Sequence, residues 1–104
     1  MSRTELIELL HRCAAQCNFC MIECLNEDDV SMMARCIELD VDCAELCSIT
    51  AAFLARDSES SSTLAAVCGE VCQACADECA KHDADHCRKC AEVCAECAEA
   101  CREL

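Results

Sequence analysis

Thiols recur along this chain at the spacing of one face of an α-helix. The stretch from Val67 to the C-terminus carries Cys68, Cys72, Cys75 and Cys79, then Cys87, Cys90, Cys94, Cys97 and Cys101, at steps of 3 and 4 broken once by a step of 8. Cys13, Cys17, Cys20 and Cys24 repeat the pattern near the N-terminus, and Cys36, Cys43 and Cys47 continue it in the middle. Alternating steps of 3 and 4 put side chains on one helical face, the face that becomes the inner seam of a bundle. One or two buried cysteines are ordinary small hydrophobes. Sixteen are not, because each forfeits on the order of 1 kcal/mol against leucine, at roughly 0.8 kcal/mol per methylene. Repeated soft sulfur ligands on facing helices point to metal binding.

Which metal follows from softness and charge. Thiolates select Cu(I), Zn(II) and iron–sulfur clusters. Iron–sulfur ligands come in compact runs with their own spacing, and no such run occurs here. Sixteen cysteines can make about four zinc tetrathiolate sites. Each carries a formal double negative charge, so four would bury eight charges in a narrow core. Cu(I) accepts two or three thiolates, and one ion per thiolate leaves the core neutral. Charge therefore ranks many Cu(I) ions above a few Zn(II). A zinc- or cadmium-buffering, metallothionein-like protein and an iron–sulfur or thiol-redox protein stand as alternatives.

Four helices must position these thiols. Proline is absent, glycine occurs once and the only aromatics are two phenylalanines, a composition that favours long helices over a sheet. The first helix is expected over about Thr4–Leu25, capped by Thr4 or Ser2, with the seam Leu6, Leu10, Cys13, Cys17, Cys20, Cys24. The second runs from about Val30 to Arg56 with the seam Met33, Cys36, Asp40, Cys43, Cys47, Thr50, Leu54, and Asp28 or Asp29 as its cap. A row of Met32, Leu39, Leu46 and Phe53 lies beside it. The third runs from Ser62 or Thr63 to Lys81 after a serine-rich loop, with Gly69 inside it to allow a close helix approach. The fourth follows a cap at Asp83 or Asp85 and ends near Leu104. Asp40 stands where the repeat asks for a thiol. It is either a buried acid with its hydrogen bonds satisfied or an oxygen group that perturbs nearby thiols.

Short loops make successive helices antiparallel neighbours. The expected fold is all-α, an antiparallel up-down-up-down four-helix bundle with a cysteine-lined core, and residues 1–104 form one metal-binding domain. This topology gathers Leu6, Leu10, Phe53, Leu54, Leu64, Ala65 and Leu104 into an apolar plug at one end. The other end collects Met21, Cys24, Met32, Met33, Cys36, Cys79, His82, His86 and Cys87, all able to bind soft metal. That end is the expected mouth, with His82, His86 and Met33 as further ligands. His11 lies off the seam, at the surface. Phe19 and Ile22 also leave the seam and can serve a subunit interface.

Net charge is −13, which argues against nucleic acid as a partner, since phosphate contacts need a basic surface. No run of about 18 apolar residues is present to cross a membrane. The N-terminus MSRTELIELL does not look like an export signal, so a reducing, cytoplasmic compartment is expected. No Ser/His/Asp set and no glycine-rich phosphate loop is recognisable, so a binding protein is expected rather than an enzyme.

The segments CAAQCNFCMIEC, CGEVCQACADEC and CRKCAEVCAECAEAC resemble those of the bacterial four-helix-bundle copper storage proteins, and the missing export signal is similar to the cytosolic branch. The resemblance covers Cys13 to Cys101. It implies multiple Cu(I) ions held along the bundle core by the sixteen seam cysteines, histidine or methionine helping near the open end, and a homotetramer. A storage role also implies a copper donor or acceptor protein.

Overall fold

The computed structural model describes residues 1–104. Its helices are α1 (Arg3–Leu25), α2 (Ala34–Ala55), α3 (Ser61–Cys79) and α4 (Asp85–Arg102), with a 3-10 turn at Val30–Met33 leading into α2. Each helix packs against its two neighbours around a square, α1 on α2, α2 on α3, α3 on α4 and α4 on α1, and the diagonal pair α2 and α4 meets only through side chains on the axis. The result is the expected up-down-up-down bundle, 44 Å long and 18 by 17 Å across.

Local chemistry explains where the helices start and stop. Ser2 caps α1 through a reciprocal box: its Oγ accepts from the Glu5 amide at 3.1 Å, and its own amide donates to Glu5 Oε1 at 2.8 Å. This satisfies two amide donors that a helix start otherwise leaves free. The C-terminus of α2 closes with the Asp57 amide on Leu54 O and the Ser58 amide on Phe53 O, both 3.0 Å, while Asp57 adopts φ 53°. That is a Schellman closure with aspartate in the position that usually takes glycine.

Several boundaries depart from expectation. The second helix does not begin as α-helix at Val30; the 3-10 turn tightens this stretch and brings Met33 into the core while Met32 faces out. Asp29 precedes that turn without capping it, and its Oδ1 accepts from Ser31 Oγ at 2.6 Å. Ser60 precedes α3 and Ala84 precedes α4, neither with a side-chain cap bond. Asp85 instead lies in the first turn of α4, where its charge suits the helix dipole.

Gly69 sits where α3 meets α4. A Cβ there would lie 3.3 Å from Cys101 Cβ and 3.5 Å from the Ala98 carbonyl oxygen, so the close approach is real. The plug consists of Leu6, Leu9, Leu10, Leu54 and Ala65, all buried. Leu104 does not join it: the chain leaves the helix at Arg102 and its last side chain is 54% exposed. Leu9, off the expected seam, is buried instead. In the row beside the α2 seam, Leu39 is buried, Leu46 and Phe53 are half-buried and Met32 is exposed. Intrachain packing therefore accounts for most of that row.

Candidate metal centre

All sixteen cysteines are buried and carry free thiols. They form one column along the bundle axis. From the plugged end, Cys68 lies 3.7 Å from Cys47, and Cys47 lies 3.6 Å from Cys72. Cys43 follows, 3.4 Å from Cys72 and 3.9 Å from both Cys13 and Cys94. Cys17 then bridges Cys94 at 3.5 Å and Cys90 at 3.7 Å. Nearer the mouth, Cys36 lies 3.3 Å from Cys79 and 3.9 Å from Cys24, and Cys24 lies 3.9 Å from Cys20. A metal–thiolate bond of about 2.3 Å puts two sulfurs on one ion about 3.8 Å apart at tetrahedral angles and about 4.6 Å when linear. The column already holds its sulfurs close to that separation.

The groupings overlap. Cys13, Cys17, Cys43 and Cys94 lie within 4.8 Å of one another, Cys13 also joins Cys47, Cys72 and Cys97, and Cys17 and Cys94 also join Cys75 and Cys90. Shared sulfurs suit ions linked by bridging thiolates better than separate closed sites. Cys101 ends the column beside Gly69, and Cys87 faces the mouth.

Asp40 belongs to the column. Its Oδ1 accepts from the thiols of Cys75 and Cys90, both at 3.3 Å, and Cys79 at 3.8 Å, while Oδ2 accepts from Cys36 at 3.8 Å. Burial pushes its carboxyl up to about 9. The first of the two sequence readings therefore holds for its hydrogen bonds: they are satisfied, and by sulfur. Its carboxylate also lies in a group with Cys20, Cys79 and Cys90. Burial also raises Cys24, and lifts Cys87 to about 11. The buried polar side chains are Asp40, Thr50 and Ser61, with no lysine or arginine among them. A metal-free core without cations keeps its protons on sulfur.

At the mouth the two histidines part company. His86 is drawn into the column: its Nδ1 lies 3.3 Å from Cys20 Sγ and 3.6 Å from Cys87 Sγ, and it groups with Cys20, Cys24 and Cys87. His82 contacts no thiol and pairs through Nε2 with Glu78 Oε2 at 3.0 Å. Met33 and His82 line an open groove of about 470 Å³ with Met32, Glu27, Asp28, Asp29, Asp83 and Ala84. His11 is exposed, as expected. Glu27 carried no signal in the sequence, yet its Oε1 meets His86 Nε2 at 2.9 Å.

The family model described as copper storage protein matches residues 1–104. The chain belongs to the copper storage protein family. The Cu(I)-bound copper storage protein BsCsp3 of Bacillus subtilis superposes with a TM-score of 0.93 at 38% identity, over 99% of this chain and 98% of that one. A cytosolic copper storage protein of Streptomyces lividans, solved with five coppers, gives 0.93 at 41% identity over 97% and 89%. The cysteine-rich protein YhjQ of Bacillus subtilis is 40% identical across 81% of this chain and 78% of its own length. Membership in the copper storage family agrees with the four-helix bundle and with the cysteine column. No helix is long and apolar enough to cross a membrane.

Proposed function

We propose that this protein stores Cu(I) in the cytoplasm, many ions to a chain, on the thiolates of its sixteen core cysteines. The observation that carries this reading is the column of buried, unpaired sulfurs, most with a neighbour at 3.3 to 4.0 Å and joined by overlapping groups within 4.8 Å. Neutral thiols lose protons as copper arrives, so loading exchanges one positive charge for another and leaves the core uncharged. Zinc tetrathiolates would instead accumulate negative charge beside a core without cations. Copper reaches the column at the His86 end. There His86 joins Cys20, Cys24 and Cys87 as a ligand, and Met33 and His82 form a transit surface in the groove outside. The plugged end admits none. A reducing compartment keeps the thiols free.

Residues 1–104 act as one metal-binding domain, and the role is storage rather than catalysis. A soluble donor or acceptor protein exchanges copper at the mouth. Self-association to a homotetramer is supported by Phe19 and Ile22 on α1, large apolar side chains left 54% and 50% exposed. Native mass spectrometry during anaerobic Cu(I) titration tests both claims in one measurement. Uptake of ten or more ions per chain by a four-chain species is expected on a column of this size. Saturation at one or two ions per chain would end the storage reading, and a monomer at every loading would end the tetramer.

A further inference from the structure

We propose that Glu27 is a positioning residue: its carboxylate holds the His86 ring so that Nδ1 presents its lone pair to incoming Cu(I) between Cys20 and Cys87. The inference rests on the storage reading and on His86 as a ligand within it. A carboxylate only accepts hydrogen bonds, so the 2.9 Å contact from Glu27 Oε1 requires the proton on Nε2. A neutral imidazole carries one N–H, and Nδ1 is then the acceptor. That nitrogen faces Cys20 Sγ at 3.3 Å and Cys87 Sγ at 3.6 Å, and both thiols can donate to it in the metal-free protein. Copper then replaces a thiol proton without first displacing one from the ring.

The surroundings fix this geometry from both sides. The His86 side chain is only 11% exposed, whereas Glu27 is 38% exposed and reaches in from the loop after α1. Gln16 on α1 donates from Nε2 to the His86 carbonyl at 3.3 Å. The backbone is thus held by α1 and the ring by the loop, which limits how the imidazole can turn. His82 shows the contrast. Its Nε2 is also tied to a glutamate, but that partner is Glu78 in the last turn of α3, four residues back, and no thiol hydrogen-bonds to the ring. Only His86 joins a carboxylate on one nitrogen to sulfur on the other. Carboxylates that orient a ligating histidine in this way typically contribute about 10- to 100-fold to metal affinity.

A purely structural tie between the loop and α4 would produce the same contact, and the tests separate the two. In ¹⁵N-labelled, reduced, metal-free protein near neutral pH, His86 should show a slowly exchanging Nε2–H and an unprotonated Nδ1. A proton on Nδ1 in the wild type would overturn the proposal without any variant. Glu27→Ala should lose the slowly exchanging signal, and Glu27→Gln, whose amide oxygen can still accept, should keep it. By competition with a Cu(I) chelator, Glu27→Ala should weaken the copper that shifts His86 Nδ1 by about 10- to 100-fold, with Glu27→Gln close to wild type. The same substitution in a His86→Ala background should cost nothing further. Equal losses with and without His86, or no loss at all, would reduce Glu27 to a structural tie. Failure of the wild type to take up many coppers would instead count against the storage reading.

Discussion

Asp40 sets the stability of the metal-free core against pH. Its folded carboxyl is raised to about 9 by burial, against about 3.9 in an unfolded chain. Between those values the folded protein holds a proton that the unfolded chain has released. Stability is therefore greatest below about pH 4 as far as this group is concerned, and falls as pH rises towards 9, by at most about 1.4 kcal/mol per unit. Asp40→Asn removes the titration and keeps an oxygen to accept from Cys75 and Cys90. Denaturant unfolding of reduced, metal-free protein from pH 5 to 8 should show a flatter profile and a more stable variant at the upper end. Parallel profiles would mean that Asp40 ionises in the folded core. The sequence marks Asp40 only as a gap in the thiol repeat, because periodicity locates a side chain on a face without saying what it meets there. Glu27 is harder still to see. Its contact with His86 spans 59 residues, and nothing local distinguishes it from Asp28 or Asp29 beside it.

At the scale of the helix, Gly69 tests the packing of α3 on α4. Alanine is intrinsically better in a helix by about 1 kcal/mol. The added methyl, however, meets Cys101 Cβ at 3.3 Å, an atom fixed to the α4 backbone rather than the end of a flexible chain. Overpacking of this kind costs about 1 to 3 kcal/mol. Gly69→Ala should therefore lower the stability of the metal-free protein by about 1 kcal/mol, read as a shift in urea midpoint with unchanged slope. A raised midpoint would show that the helices part at little cost. The helices themselves were plain in the 3/4 spacing of the cysteines, and Ser2 was one of two caps the sequence offered. The 3-10 turn at Val30–Met33 was not legible, since Met32 and Met33 both fit a helical stripe and the choice between them is made by packing. The caps expected at Asp83 and Asp85 failed for a related reason. An acid near a helix start suits both the cap and the first turn, and only backbone geometry decides between them.

The whole molecule is a tube 44 Å long with its thiols on the axis, histidine at one end and leucine at the other. Topology made both ends legible, since antiparallel helices fix which turns share an end. Membership of the mouth was less so: His86 and His82 flank one turn, and only the direction of each ring separates the one beside sulfur from the one beside Glu78. The leucine stopper has a consequence for the history of the copper inside. A column open at one end is a stack, and ions handed between shared thiolates along one axis have a single way out. The last to arrive should be the first to leave. Protein half-filled with one copper isotope and completed with a second, then stripped partway by a chelator, should give up the second isotope first, as mass spectrometry of the released metal would show. Release of both in equal proportion would mean that ions trade places along the sulfurs faster than they depart.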